Sequence, residues 1–431
     1  MIETPLRLPC GQELSNRLCK AAMTEGLATA QGVPTPELVR LYGVWSDSGA
    51  GLLLSGNVQI DSDHLERPGN VVVDREPDAA LREALAEWAR AGTRSGNHFW
   101  AQISHAGRQT QKLVNPHPKA PSAVKLGLPG GQFGEPVPMT EDEIGEVIAG
   151  FARCARVLKE AGFTGVQIHS AHGYLLSQFL SPRSNQRTDQ WGGSLENRAR
   201  ALLETVRAVR GAVGPEFPVG VKLNSADFLR GGFEFGDSLQ VARWLQEEGV
   251  DLLEISGGTY EQPKLVRLEG IEPVESQSIA ESTRAREAYF VDFAQAMHRE
   301  ISMPLMVTGG LRRRDAMEEA LTSGSADVIG IGRPMCVTTD APAKLLAGLD
   351  ELPRYEDRLS LLPGWLGFLT SIPLIRVVAT FGVMYWFYEQ ILQIGRNGRA
   401  EDNLSVFAAT RRQMGMANRL MRERNARPKP G

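Results

Sequence analysis

Cysteine is scarce in this sequence: Cys10, Cys19, Cys154 and Cys336 are the only four among 431 residues. No two stand at C-x-x-C spacing, which excludes the usual zinc and iron–sulfur motifs and leaves no disulfide framework. Scattered thiols of this kind suit a reducing cytoplasm, the location expected here. The opening Met1-Ile2-Glu3-Thr4-Pro5 lacks the basic stretch and apolar run of a signal peptide. A large charge imbalance is also missing. The net charge is −4, so no nucleic-acid partner is expected. No G-x-G-x-x-G follows the first strand-like run, which counts against a Rossmann dinucleotide domain.

What the chain has is a repeating alternation. Short apolar runs fall at residues 17–23, 51–56, 99–104, 165–169, 219–223, 252–256, 305–308 and 328–332. Each is nearly continuous in apolar residues, as expected of parallel strands buried on both faces. Between them lie helical patterns, among them 140–161, 194–213, 237–248 and 314–323, with Ser194 placed as an N-cap. Eight βα units in about 330 residues predict an α/β fold, the closed (β/α)8 TIM barrel. An open doubly wound sheet is the alternative.

The end of the chain differs in composition. Residues 359–388 hold a single charge, Arg376, and the aromatic residues Trp365, Tyr385, Trp386, Phe387 and Tyr388. Residues 395–431 then carry nine basic and three acidic side chains. These shifts predict a barrel over 1–350 and a C-terminal helical extension, apolar then basic, over 351–431. Two readings of the extension stand side by side. It is a helical hairpin packed on the barrel or across a homo-oligomer interface, or it is a peripheral membrane anchor that meets anionic lipid through 359–429.

In such a barrel the chemistry sits at the C-terminal ends of the strands. Those ends here carry Ala22-Met23-Thr24, Ser55-Gly56-Asn57, Gln102 with His105, His169-x-x-His172-x-Tyr174, Lys222, Ser256-Gly257-Gly258, Gly309-Gly310 and Gly332-Arg333. Glycines after the seventh and eighth strands let backbone N–H groups approach an anion, and Arg333 adds charge-assisted hydrogen bonds. Tight turns with a surface arginine are the plainer reading. The two histidines can converge on one acceptor oxygen, with the Tyr174 phenol beside them; structural histidines and a metal pair are the alternatives. His105 and Glu254 are the nearest further ligands, and neither makes a recognised spacing, so no metal is expected. A buried Lys222 needs an anionic partner or must lose its proton. That leaves it as a Schiff-base nucleophile or as the counter-charge of an anionic cofactor.

The stretch from Ile168 through Ser170-Ala171-His172-Gly173-Tyr174 to Ser181-Pro182 closely resembles the signature of the old yellow enzyme family. Its continuation from Ser184 to Arg198 does too, as do Ser15-Asn16-Arg17, the segment Gln102 to Arg108, Ala120-Pro121-Ser122-Ala123, and Gly310 through Arg333. The resemblance covers residues 1 to about 345. It implies a barrel with non-covalent FMN, reduced by NADPH or NADH, acting on small α,β-unsaturated carbonyl compounds. It further implies that Ala22, Met23 and Thr24 line the flavin edge, with Thr24 near the C4 carbonyl. Gly56 and Gln102 would contact the ring, Lys222 would stand near N1 and the C2 carbonyl, and Gly309, Gly310, Gly332 and Arg333 would hold the phosphate. His169 and His172 would bind the substrate carbonyl oxygen and Tyr174 would supply a proton.

The sequence departs from the family where Lys222 stands for the commoner Arg, Ala22 for Pro and Gln167 for Glu. Gly26 stands where some members place a Tyr near the substrate, which predicts a wider pocket. That loop looks more like the dienoyl-CoA reductase branch, without the cysteines or added length of its further domains. A lyase using Lys222 and a membrane-associated scaffold remain as competing functions. Flavin colour, borohydride trapping and a cellular role that survives loss of FMN separate the three.

Overall fold

The computed structural model describes residues 1–128, 131–227, 230–256, 293–362 and 372–426. Eight parallel strands form its centre: β1 (Leu18–Lys20), β2 (Leu52–Gln59), β3 (His98–Ser104), β4 (Gly165–Ser170), β5 (Val219–Asn224), β6 (Leu252–Ser256), β7 (Leu305–Thr308) and β8 (Val328–Ile331). Neighbours pair in chain order. The last strand returns to the first through Ile329↔Leu18, Gly330↔Cys19 and Ile331↔Lys20. That pairing closes the barrel and excludes the open sheet. The strands are the eight apolar runs, with ends moved by up to three residues.

Helices α1 (Pro36–Ser46), α2 (Ala79–Thr93), α3 (Glu141–Glu160), α4 (Leu195–Val213), α5 (Phe235–Glu247) and α6 (Arg314–Thr322) surround it, and residues 293–298 are helical. Their starts follow from local chemistry. Thr140 accepts from the Glu143 N–H while the Glu143 carboxylate accepts from the Thr140 N–H, a complete capping box at α3. Ser194 caps α4 by accepting from Asn197.

The barrel interior is filled rather than hollow. Trp100 is fully buried among Cys19, Leu52, Leu54, Leu252, Met306 and Val328. Gly165 makes room for it, since a Cβ there would lie 2.4 Å from the indole Nε1. The N-terminal strands Leu6–Arg7 and Glu13–Leu14 pack Leu6 and Leu14 into the same cluster. Many of its members begin their strands, so this hairpin covers the N-terminal end of the barrel. The C-terminal end is left for chemistry.

After the barrel, α7 (Pro373–Asn397) and α8 (Val406–Asn425) pack against each other, and α7 lies on α1 and on the turn Arg333–Cys336. Gly398 takes the left-handed conformation, φ +75°, that ends α7. The last carbonyls of α7, those of Gly395 and Arg396, accept from the Arg40 guanidinium of α1 at 2.9 and 2.8 Å. Trp386 and Phe387 are each only 6% exposed, and the Trp386 indole donates to the Leu404 carbonyl. These two rings thus turn inward, and the described helices pack on the barrel. Trp365 lies outside the described residues. No helix among the described residues is long and apolar enough to cross a membrane.

Candidate active site

Loops after the strands bring together the side chains singled out in the sequence. At the end of β4 the His169 and His172 rings stand edge to face, 5.1 Å between centroids, and Tyr174 packs on His169 at 4.7 Å. The chain turns sharply here: His172 is the one non-glycine with positive φ (+61°) among the described residues. The strain is held by the His172 N–H donating to Asn224 Oδ1 and by Gln109 donating to the His172 carbonyl.

For His169 a hydrogen bond also fixes which ring nitrogen carries the proton. The Ala171 N–H donates to His169 Nδ1, so the proton of the neutral ring lies on Nε2. His172 Nε2 lies 2.6 Å from Ser256 Oγ, a hydroxyl that can donate to the ring or accept from it. Burial holds both rings well below the usual histidine range, helped for His169 by His172 and for both by the Lys222 charge. Two buried imidazoles held toward the neutral form thus stand at one strand end, His169 with its N–H on Nε2. Ser256 and Asn224 do this work. Their sequence signal was no more than a polar residue at a strand end, and the neighbouring Gly257 and Gly258 lie outside the described residues.

A polar row crosses the same end of the barrel. Gln102 donates to Gln167 at 2.7 Å, Gln167 donates to Glu254 at 2.8 Å, and the other Glu254 oxygen meets Lys222 Nζ at 2.8 Å. All four side chains are buried. The anionic partner that a buried Lys222 requires is thus Glu254, its register neighbour on the adjacent strand β6. Gln167 stands where the family commonly has a carboxylate, and here the carboxylate is supplied by β6.

Around the ends of β1 and β2 the structure fills space that the sequence had left open. Met23 receives the Cys336 thiol at 3.4 Å, joining the β1 and β8 ends, with Ala22 and Thr24 half-buried beside it. Glu25 is buried and accepts from the Tyr42 hydroxyl and from the Gly56 N–H. A Cβ on Gly56 would run into Glu25 and the Met23 carbonyl, which is why glycine stands there. Gly26 has φ +66°, and a Cβ on it would lie 3.0 Å from the Arg67 guanidinium. The wider pocket expected from Gly26 is therefore not realised at that point. Arg67 occupies the room, stacked 4.2 Å from the Tyr388 ring of α7 and donating to Gln413 of α8.

The ends of β7 and β8 suit a phosphate. Gly309 and Gly310 have φ +114° and +82°, conformations that favour glycine. A Cβ on Gly332 meets nothing within 4 Å. Arg312 and Arg333 converge on one carboxylate oxygen of Glu356, at 3.1 and 3.0 Å. Their charges outweigh burial and hold that carboxyl below its ordinary range. Glycine turns with room beside them and the nearby Arg312 and Arg333 guanidiniums are compatible with an FMN phosphate.

One histidine cluster was not foreseen. His64 and His105 stack at 4.4 Å and flank Asp61, whose Oδ2 lies 2.7 Å from His64 Nδ1 and 3.6 Å from His105 Nε2. The spacing would admit a metal ion. The hydrogen bonds do not, because backbone N–H groups of Lys119 and Gly107 donate to the far nitrogens of His64 and His105. Both nitrogens facing Asp61 therefore carry protons. Burial tends to raise the Asp61 carboxyl, but the bonds from His105 and His64 dominate and hold it far below its ordinary range.

A closed (β/α)8 barrel with buried polar side chains gathered at the C-terminal ends of its strands has the layout of a barrel enzyme. The model of the NADH:flavin oxidoreductase / NADH oxidase family matches residues 3–351. An NADH-dependent flavin oxidoreductase of Neonectria sp. is 38% identical over 354 residues, which are 78% of this chain and 46% of that protein. The chain thus spans less than half of that relative. One of the same description from Hypocrea jecorina is 36% identical over 79% of this chain and 88% of its own length. Among solved structures, the old yellow enzyme homologue from Zymomonas mobilis superposes with a TM-score of 0.67 at 25% identity, covering 82% of this chain and 95% of that one. The chain belongs to the NADH:flavin oxidoreductase / NADH oxidase family, whose members of the old yellow enzyme kind use FMN with NAD(P)H as reductant.

Proposed function

We propose that this protein is an ene reductase that reduces the activated C=C bond of small α,β-unsaturated carbonyl compounds. The observation that carries this reading is the pair of buried imidazoles at the end of β4, held toward the neutral form, with the His169 proton on Nε2 and Tyr174 packed against that ring. FMN, reduced by NAD(P)H, supplies a hydride for the alkene β-carbon. Negative charge then develops on the substrate carbonyl oxygen, where His169 Nε2–H and His172 Nδ1–H act as preorganised donors, as in an oxyanion hole. Neutrality matters: a neutral ring donates without losing its proton to the product. Tyr174 delivers a proton to the α-carbon as general acid.

In the same reading Gln102 serves the flavin pyrimidine side, Ala22, Met23, Thr24 and Gly56 its edge, and Gly309, Gly310, Gly332 and Arg333 its phosphate. Lys222 offers its remaining N–H donors near N1 and the C2 carbonyl. Its ion pair with Glu254 suits a donor better than a Schiff-base nucleophile, which needs a free amine.

The test is reconstitution with FMN followed by a steady-state screen of enones, maleimides, nitroalkenes and enoyl thioesters with NADH and NADPH. Turnover of enones by the yellow holoprotein is expected. A protein that stays colourless with FMN, or a holoprotein that oxidises NAD(P)H but reduces no alkene, would sink the reading.

A further inference from the structure

The polar row from Gln102 to Lys222 has a direction, and one end of it sets that direction. Lys222 Nζ stands 2.8 Å from Glu254 Oε1, and the two residues are register neighbours on β5 and β6. A carboxylate paired with a lysine only accepts. A proton shared within the pair would sit at Oε1, where the amine is, so Oε2 is an acceptor in either case. The group that meets Oε2, at 2.8 Å, is the Gln167 amide. Its Nε2 therefore faces Glu254, and its Oε1 faces the other way. Gln102, the register partner of Gln167 on β3, then has to donate, and its Nε2 lies 2.7 Å from Gln167 Oε1. One carboxylate thus orients two amides in turn. What remains free on Gln102 is its oxygen, to which no group among the described residues donates.

Packing gives an amide no such direction, because its oxygen and nitrogen ends are nearly alike in shape. In a buried row the direction comes from hydrogen bonds, since a donor left facing a donor loses its partner where water cannot replace it. A carboxylate at position 167 would orient Gln102 by itself. With Gln167 there instead, the orientation has to be relayed from Glu254, two strands further round the barrel.

We propose that Glu254 is a positioning residue that, through Gln167, makes Gln102 present a hydrogen-bond acceptor to the pyrimidine side of FMN. This rests on the assignment of Gln102 to that side of the flavin. The pyrimidine edge has one donor, N3–H, between two carbonyl acceptors, and the free Gln102 oxygen is the group that matches it. Glu254→Gln should turn the row around. Lys222 claims the oxygen of the new amide, whose nitrogen then faces Gln167. Gln167 in turn donates to Gln102, which is left with only N–H groups for the flavin.

The test is the preference of the full chain for FMN over 3-methyl-FMN, in which a methyl group replaces the N3 proton, taken from dissociation constants measured by flavin fluorescence. Glu254→Gln should narrow the wild-type preference about tenfold, the worth of one hydrogen bond. Gln167→Met cuts the row without changing any charge and leaves the Lys222–Glu254 pair in place, so it should narrow the preference too, by less. In the Gln102→Met background neither substitution should alter the preference, which separates orientation from loss of charge and from the bulk of the methyl group. A merely structural role of Glu254 weakens both flavins alike and leaves their ratio unchanged. If Glu254→Gln does not fold, Gln167→Met decides alone. An unchanged preference in the folded variants, or a narrowing that persists with Met at 102, overturns the inference while leaving FMN binding intact. A wild-type protein that takes up no FMN overturns both the inference and the reading beneath it.

Discussion

Lys222 Nζ stands 2.8 Å from Glu254 Oε1, and both side chains are closed inside the barrel, 5% and 0% exposed. The contact is an ion pair without well-directed hydrogen-bond geometry at that oxygen. Its consequence is that the positive charge of Lys222 is already answered by the protein. Breaking such a pair by removing one partner leaves a buried charge alone, which costs about 3–5 kcal/mol. Lys222→Met should therefore lower the melting temperature of the apoprotein by many degrees, and Lys222→Met with Glu254→Gln should recover most of it. Unchanged melting of the single variant would mean that the pair contributes nothing. The same variant should retain FMN more weakly, since donors at the ring edge are lost.

Removing donors from a developing negative charge costs on the order of 3 kcal/mol. The variant His169→Ala with His172→Ala should bind phenols more weakly by about two orders of magnitude and turn over enones correspondingly more slowly. A double variant that reduces enones at the wild-type rate would remove the donor assignment. Tyr174→Phe should leave reduction of the flavin by NAD(P)H intact and slow only alkenes that need protonation at the α-carbon. Rapid-mixing absorbance separates the two half-reactions.

Acid should destabilise the fold from an early point. His98, His105, His169 and His172 are all held below the ordinary value of 6.5, chiefly by burial, His105 down to about 4. A group with a lowered folded pKa binds fewer protons folded than unfolded, so its stability contribution is complete above 6.5 and falls away as pH drops below it. Each such group contributes a slope of up to about 1.4 kcal/mol per pH unit. Asp61, lowered by its two histidines, adds to the loss further down. Denaturant midpoints measured from pH 8 to pH 4.5 should be flat at first and then fall steeply below about 6.5. A flat profile to pH 5 would mean that these rings are solvated.

Much of the fold was legible because buried parallel strands leave continuous apolar runs, and the eight runs became the eight strands of the barrel. The His169–Tyr174 cluster was legible too, since its members are neighbours in sequence at one strand end. What escaped were partnerships between residues far apart in the sequence. Glu254, 32 positions from Lys222, was weighed only as a metal ligand, and nothing local marks it as the lysine's counter-ion. Ser256 looked like any small polar residue. Gly26 was read as empty space because the group that fills it, Arg67, comes from another loop and is braced by Tyr388, more than 300 residues away. Periodicity and motif carry no information about contacts of that kind.

The C-terminal helices give the sharpest remaining test, because their two readings predict opposite behaviour on truncation. Trp386, Phe387, Ile391, Leu392, Ile394 and Leu404 belong to the same buried cluster as the outer core of the barrel. Full burial of a large apolar side chain is worth about 1.5–3 kcal/mol, so losing six of them is comparable with the whole margin of about 5–15 kcal/mol by which most domains are stable. Deletion after Asp357 would also strip Arg67 of its two C-terminal partners and Arg40 of the two carbonyls it caps. The truncated chain should therefore be poorly soluble or melt far below the full-length protein, and the full-length protein should ignore anionic vesicles in cosedimentation at low salt. An anchor behaves the other way: its removal yields a well-folded barrel with unchanged melting, and the intact protein binds such vesicles until salt is raised. A truncated barrel that is soluble, retains FMN and melts where the full-length protein does would overturn the packing role.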